Sequence, residues 1–314
     1  MLRITVDVFS GRPDPSWIIT DEAEARAILR DLLKDRQLLS DGAAPDASLG
    51  LRGLRIEPLS DELAFDFDLS AATYLRTGPQ VSGRAREIAE RLIGLMGRDE
   101  APPGAPEDAV PLDAGLQAFL TEQLERVSRT SRADVVEAPT AAPAPPAEER
   151  AAVTCTIELG AFNPGFWNND PNVMQHNNCY HYASNKRRDS FRVKPGGGQP
   201  GAGCGHMYTA ITCPDVTRAA LCDGLHHRFD CFPDGEKPRY LVALVVAPGP
   251  GFNDFHWYRK QKEGFWGHKP GSTAARNYDN RGPGHVVMDP QTCDRGPYTQ
   301  FCGFFYTCRS QRIV

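Results

Sequence analysis

The chain has 314 residues, of which 40% are hydrophobic and 24% are charged. This composition is typical of a folded globular protein and excludes a wholly disordered chain. The length is sufficient for about two domains. No apolar run reaches the ~18 residues that a membrane-spanning helix needs, so an integral membrane protein is excluded. The first residues alternate in polarity and lack the continuous apolar core of a secretory signal.

Charge and reactive side chains divide the sequence near residue 150. Residues 1–150 contain 17 Lys and Arg against 27 Asp and Glu, a net charge of −10, and residues 151–314 contain 18 against 13, a net charge of +5. All nine cysteines and all eight histidines lie in the second part. The separation predicts two modules, 1–130 and 151–314, joined by a linker at 131–150 that is rich in Ala and Pro.

The charge balance also predicts partners. The acidic first module is expected to dock on the basic second module, because their electric fields are complementary. A net charge of +5 over 164 residues, without a concentrated stripe of Arg and Lys, is too modest for a nucleic-acid-binding protein. Nucleic acid is therefore not an expected partner.

The first module is predicted to be a small α+β domain. An alternating strand at 3–9 leads into a tight turn in the sequence SGRPDP, with Arg12 exposed, and an amphipathic helix at 21–38 follows. The remaining predicted elements are strands at 54–58 and 63–69 and helices at 82–96 and 111–129. None of these elements carries a cluster of reactive side chains, so the sequence assigns no chemistry to this module.

The second module is predicted to be α+β with an antiparallel sheet. The run NNCYHYASNKRR at 177–188 indicates the beginning of a helix. The strongest strand covers 240–247, and two further strands at 254–259 and 265–268 are expected to form a hairpin. The Gly-rich run at 194–205 predicts a loop, and it lacks the Gly-Lys-Ser/Thr ending of a phosphate-binding loop.

The cysteines indicate a domain stabilised by disulfides. Nine cysteines in 164 residues is a high density, and an odd number leaves at least one thiol after pairing within the chain. The expected local pairs are Cys222–Cys231, Cys204–Cys213 and Cys293–Cys302. A zinc site is disfavoured because even the closest pair, Cys302 and Cys308, is too far apart for a zinc knuckle. No metal and no cofactor is expected.

Cys179 is the expected unpaired thiol and the candidate nucleophile. It precedes a helix-compatible run, and the N–H groups and dipole at a helix N-terminus stabilise a thiolate. Gln175 and Asn178 lie just upstream and carry amides that could donate to an oxyanion. The alternative is that Cys179 is half of a disulfide or a small buried apolar residue.

His256 is the candidate general base, because a thiol nucleophile needs an imidazole that accepts a proton and returns it. It lies centrally on a predicted strand, and its two aromatic neighbours point to the opposite face. His268 follows 12 residues later, across the hairpin, and is expected to contact His256 and orient its ring. Asn277, Asp279 or Asn280 could orient the ring equally well, and His256 could also be purely structural.

A Cys that opens a helix, a His on a strand and a polar partner across the hairpin resemble the papain-like cysteine hydrolase superfamily. The spacing of HWYRKQKEGFWGH is similar to that in bacterial cell-wall endopeptidases of the NlpC type, and the resemblance covers about residues 150–310. It implies that Cys179 is the nucleophile, His256 the base and acid, and His268 the orienter. Asn178 and Tyr180 depart from the papain pattern, which has small residues and a Trp around its Cys.

The sequence therefore predicts a thiol-dependent peptidase or amidase that acts on a peptide, a peptidoglycan stem or an effector target. A delivered toxin would use the same chemistry. The alternative is a non-catalytic, disulfide-stabilised, secreted module that binds carbohydrate or a surface through its Trp and Tyr residues. The density of cysteines favours a location outside the cytoplasm, although the sequence shows no ordinary export signal.

Overall fold

A computed structural model describes residues 1–41, 49–69, 72–77, 83–96, 112–130, 157–189, 197–228 and 234–314. These residues form helices and antiparallel sheets, which confirms the predicted α+β class. The chain divides into two units. The first unit comprises Met1–Phe9, Pro13–Val136 and Pro250–Phe252, and the second comprises Ser10–Arg12, Glu137–Gly249 and Asn253–Val314. The linker predicted at 131–150 lies outside the described residues.

The first unit is built on an antiparallel sheet. Its strands are β1 (Leu2–Asp7), β2 (Ser16–Ile19), β3 (Leu39–Asp41), β4 (Gly53–Pro58) and β5 (Thr73–Arg76), in the spatial order β2-β1-β4-β5-β3. Its helices are α1 (Glu22–Leu33), α2 (Asp61–Phe67), α3 (Gly83–Met96) and α4 (Ala114–Thr130), with a 3-10 turn at Arg36–Leu38. Apolar side chains of the central strands and of α1 and α3 are buried and form the core.

Helix α2 lies where the sequence predicts a strand at 63–69, so that prediction is wrong. The hydroxyl of Ser60 caps the helix by accepting from the backbone N–H of Leu63 at 3.4 Å, and two acidic residues occupy the first turn. Asp68 adopts a left-handed conformation with φ of 50° and ends the helix. These capping signals outweigh the alternation of apolar residues.

The second unit contains a second five-stranded antiparallel sheet. Its strands are β6 (His226–His227), β7 (Leu241–Pro248), β8 (Asn253–Lys260), β9 (Trp266–His268) and β10 (Gln300–Tyr306), in the spatial order β6-β10-β7-β8-β9. Its helices are α5 (Gly165–Asn168), α6 (Pro171–His176), α7 (Cys179–Ser184) and α8 (Cys213–Cys222), with a 3-10 turn at Asp234–Glu236. The hairpin of β8 and β9 is confirmed, with Tyr258 opposite His268.

The two faces of strand β8 have different neighbours. Phe255 and Trp257 lie on the face that packs against α7 and α8, where they share an apolar cluster with residues of β7 and β10. Because side chains alternate along a strand, Asp254, His256 and Tyr258 lie on the opposite face. All five side chains are buried, so β8 is covered on both of its faces.

Two disulfides connect α8 to the rest of the second unit, and they differ from the expected local pairs. Cys213, the first residue of α8, is bonded to Cys302 on β10, and Cys222, its last residue, is bonded to Cys204 in the preceding loop. The three expected pairs are therefore wrong, because the two ends of α8 lie beside different segments, one beside β10 and the other beside the preceding loop. Cys155 and Cys231 lie outside the described residues.

Within the described ranges, none of the helices combines the length and the apolar character that crossing a bilayer requires.

Candidate functional site

Cys179 is the first residue of α7, and its thiol lies in the apolar core. The residue has 0% exposed surface, and its Sγ donates to the backbone oxygen of Phe255 at 3.9 Å. Burial raises the pKa of the Cys179 thiol well above its ordinary value, and the negative charge of Asp254 adds to this effect. The prediction that the helix terminus stabilises a thiolate is therefore wrong, because the cost of burying the charged sulfur exceeds the stabilisation that the terminus provides.

The prediction that Cys179 is not in a disulfide is confirmed, but among the described residues two other cysteines share this property. Cys293 is half-buried, and burial raises its pKa to about 12. Cys308 is buried, and its Sγ lies 2.9 Å from the backbone oxygen of Gly224. The spacing of cysteines alone could not distinguish these three thiols.

Asn178 uses its whole amide to build the start of α7. Its Oδ1 accepts from two backbone N–H groups of the first turn, at 3.1 and 3.2 Å, and its Nδ2 donates to the carbonyls of Gly11 at 2.9 Å and Gly198 at 2.8 Å. The expectation that Asn178 donates to an oxyanion is therefore wrong in this conformation. Gln175, the other candidate donor, is half-buried on α6, four residues before Cys179 in the sequence.

His256 and His268 form a hydrogen-bonded pair, which confirms the contact predicted across the hairpin. His256 Nε2 lies 2.7 Å from His268 Nδ1. His268 Nε2 lies 2.9 Å from the carbonyl oxygen of Tyr278, which can only accept, so this contact places a proton on Nε2 and makes Nδ1 the acceptor from His256. In the other tautomer, Arg276 Nε would donate to His268 Nε2, from which it lies 3.2 Å away.

The histidine pair is enclosed by aromatic rings. Both imidazoles have 0% exposed surface, and the rings of Tyr258 and Tyr298 lie 4.8 and 5.6 Å from that of His256. Burial lowers the pKa of His268 well below its ordinary value, and the positive charge of Arg276 lowers it further. His268 is therefore neutral near pH 7, and a neutral ring can hold its neighbour in one orientation.

Asp279, the alternative orienting group, is engaged elsewhere. Its carboxylate accepts from Arg281 Nη2 at 2.6 Å and from the backbone N–H of Asp294 at 3.1 Å. Burial opposes ionisation, but these hydrogen bonds outweigh it and lower the pKa of Asp279. The structure therefore brings His268 to His256 and directs Asp279 to a neighbouring loop.

Asp254 is a central residue of the unit that sequence reasoning missed. Its carboxylate accepts from three consecutive backbone N–H groups and from one hydroxyl. The donors are Ser10 N at 2.6 Å, Gly11 N at 3.2 Å, Arg12 N at 2.9 Å and Tyr298 Oη at 2.5 Å. Burial raises the pKa of Asp254, and the four donors oppose that rise by stabilising the charged form.

The Ser-Gly-Arg turn, residues Ser10–Arg12, is thus an internal part of the second unit. Ser10 and Gly11 are buried and Arg12 is half-buried, so the expectation that Arg12 is exposed is wrong. Asp254 lies two positions before His256 and therefore on the same face of the strand, and this spacing could have identified it from the sequence. The sequence gives no sign of its three backbone partners, because they precede it by more than 240 residues.

Lys269 is a buried cation beside this region. Its Nζ donates to three backbone carbonyls, those of Met174, Asn177 and Gly271. Two of these carbonyls belong to the end of α6 and the residue that follows it. A cation is favourable there because the C-terminus of a helix carries partial negative charge.

The part of the chain that the structure describes contains no group of three or more His, Cys, Asp or Glu side chains placed to hold a metal ion.

The chain is similar to a protein of Ruditapes philippinarum, insoluble matrix shell protein 1. The two are 40% identical over 155 residues, which is 49% of this chain and 93% of that protein. No family model and no solved structure matches the chain.

Proposed function

Because the chain belongs to the family of insoluble matrix shell protein 1, we propose that it is a non-catalytic, disulfide-stabilised component of an extracellular matrix. The family membership carries the proposal, since the similarity extends over nearly the whole length of that relative. The relative's name describes a protein of an insoluble matrix. Disulfides such as Cys204–Cys222 and Cys213–Cys302 persist in oxidising environments, which agrees with a location outside the cell.

The environment of Cys179 agrees with a non-catalytic role. A reactive cysteine is partly exposed and has a lowered pKa, so that it forms a thiolate near neutral pH. The Cys179 thiol is instead buried, bonded to a backbone carbonyl, and has a raised pKa. Its contribution in this proposal is to pack α7 against β8.

Fractionation of cells that produce the chain tests this proposal. Antibodies should detect the chain in the extracellular fraction that remains after extraction with salt and detergent, and denaturant with a thiol reductant should release it. Replacing Cys213→Ser should lower the secreted amount, because loss of a native disulfide costs about 2–5 kcal/mol. The matched control Cys293→Ser lies outside the two disulfides and should be secreted normally. Recovery of the chain in the cytosol or in the salt wash would contradict the proposal.

A thiol-dependent peptidase or amidase is the second candidate. The hydrogen bond of 2.7 Å between His256 and His268 favours it, because a second polar group that holds the catalytic imidazole is a feature of nucleophile–base–orienter triads. In this candidate Cys179 remains the nucleophile, as the resemblance to papain-like hydrolases implies, and the thiol must become accessible for substrate to reach it.

Alkylation with iodoacetamide separates the two candidates. The matrix proposal expects Cys179 to react only after denaturation, at the same rate as buried Cys308. The hydrolase candidate expects Cys179 to react in the native chain much faster than Cys308. It further expects casein or peptidoglycan to be hydrolysed by the chain and to remain intact with Cys179→Ala.

A further inference from the structure

We propose that the second unit is a peptide-recognition module whose socket binds a Ser-Gly-Arg turn, and that the turn of a second copy of this chain can occupy it. The socket consists of Asn178, Gln199, Asn253, Asp254, Phe255 and Gly271. In the structure it holds the chain's own residues Ser10–Arg12. The inference goes beyond the matrix role, since such recognition would also link copies of a hydrolase.

The socket binds the donors of the turn through one carboxylate and one carbonyl. Asp254 accepts from the backbone N–H groups of all three turn residues, at 2.6 to 3.2 Å. The guanidinium Nη1 of Arg12 donates to the backbone oxygen of Asn253 at 2.6 Å. Three consecutive N–H groups directed at one anion require a defined turn, so this part of the socket recognises backbone shape.

The socket also binds the carbonyls of the turn. The carbonyl of Gly11 accepts from Asn178 Nδ2 at 2.9 Å and from Gln199 Nε2 at 2.6 Å. The carbonyl of Ser10 accepts from the backbone N–H of Gly271 at 3.1 Å. Two carbonyls of the turn thus have partners as well as its three N–H groups, and such pairing lowers the cost of burying a peptide segment.

Phe255 restricts the central position of the turn to glycine. A Cβ atom on Gly11 would lie 2.3 Å from the Phe255 ring, and the ring is fully buried in the core cluster. A larger residue at this position would have to displace the ring or the turn. The socket therefore binds the backbone of the turn through polar groups and restricts its central side chain through Phe255. The two together select a turn with Gly at its centre and Arg after it.

Each copy of the chain carries both the turn and the socket, which makes a second copy the occupant that fits. The residues that contact the turn are separated from it by at least 167 positions in the sequence, so no local connection forces the two to belong to one molecule. Exchange of an identical element between copies retains every contact. Two copies that exchange their turns reciprocally form a closed dimer, and copies that pass their turns to different neighbours form an open chain of molecules.

A complementation experiment tests the proposal. The Gly11→Val chain keeps the socket and loses the turn, whereas the Asp254→Asn chain keeps the turn and loses the carboxylate of the socket. Each variant alone should remain a monomer of 34.5 kDa by light scattering. Mixing them should produce a species of twice that mass, in which one wild-type turn occupies one wild-type socket. A mixture that remains monomeric, with both variants folded by near-ultraviolet circular dichroism, overturns the proposal.

If either variant does not fold, a second measurement on the wild-type chain tests whether the socket binds the turn of another copy. Wild-type chain should form oligomers as its concentration rises, because the intramolecular turn is then in competition with turns from other copies. The peptide Phe-Ser-Gly-Arg-Pro-Asp should reverse this association, and the same peptide with Val in place of Gly should bind at least about tenfold more weakly. Wild-type chain that stays monomeric at its highest soluble concentration, or oligomers that respond equally to both peptides, would overturn the proposal.

Discussion

The two faces of strand β8 are equally buried but are stabilised by different interactions. Phe255 and Trp257 contribute through apolar surface removed from water, which amounts to about 25 cal/mol for each Å² and depends little on direction. Asp254 and His256 contribute through hydrogen bonds with fixed partners. A buried donor that loses its acceptor costs more than the bond itself contributes. The polar face should therefore be the more sensitive of the two to single substitutions.

Asp254→Ala is expected to have the largest effect. It leaves the donors of Ser10, Gly11, Arg12 and Tyr298 without their acceptor and should lower the free energy of unfolding by about 5 kcal/mol. Urea denaturation measures this change. Asp234→Ala is the matched control, because that side chain is 83% exposed and should change stability by less than about 0.5 kcal/mol.

Trp257→Ala tests the apolar face and should cost about 4 kcal/mol, from lost burial and from the cavity that remains. Trp257→Phe keeps most of the volume and should cost less than half as much. The same urea titration ranks both variants against Asp254→Ala. If Trp257→Ala lowers the free energy of unfolding by more than Asp254→Ala does, the apolar face of β8 is the more sensitive of the two to substitution.

Acidification should weaken the second unit. Burial lowers the pKa of His268 well below 6.5 and that of His181, on α7, to about 3. Below about pH 6.5 these two histidines are protonated in the unfolded chain and stay neutral in the folded chain. The free energy of unfolding is therefore constant above about pH 6.5 and falls below that pH. Two such groups should remove about 2.5 kcal/mol between pH 7 and pH 5.5.

Urea denaturation at a series of pH values measures this loss. His285 is exposed, so the His285→Asn control should show the same dependence on pH as the wild-type chain. A free energy of unfolding that does not change between pH 7 and pH 5.5 would show that these histidines titrate normally in the folded chain.

Tyr298→Phe should have the smallest effect on the polar face. It removes one hydroxyl donor from Asp254 and leaves the three backbone donors, so we expect a loss of about 1.5 kcal/mol. Half-buried Tyr278 provides the control, since Tyr278→Phe should change the unfolding midpoint very little. Equal midpoints for the two variants would mean that the Tyr298 hydroxyl contributes no net stability.

Local patterns in the sequence were sufficient for several elements of the fold. The apolar run of β7 and the short polar turn after β8 predicted three strands and a hairpin, and the hairpin placed His256 beside His268. Apolar periodicity likewise predicted α1, α3 and α4. Each of these features depends on residues that are close in sequence, where periodicity and turn chemistry carry the information.

Features that depend on distant residues could not be predicted. The pairing of Cys213 with Cys302 spans 89 positions, and the turn of Ser10–Arg12 meets Asp254 after more than 240. The pKa of Cys179 could not be predicted for the same reason. Its place at the start of a helix was correct, but its pKa depends on burial, which is a property of the whole fold. The docking of the acidic module and the hydrolase activity stay predictions.

The ammonium group of Lys269 is enclosed by three carbonyls, so its reactivity should report on the folded state. Acylating reagents that label surface amines should leave Lys269 unmodified for as long as the molecule remains closed. Acylation at this position would remove its charge and leave the carbonyls at the end of α6 without their donor. The fraction of molecules acylated at Lys269, measured by mass spectrometry, would thus give the fraction that has opened.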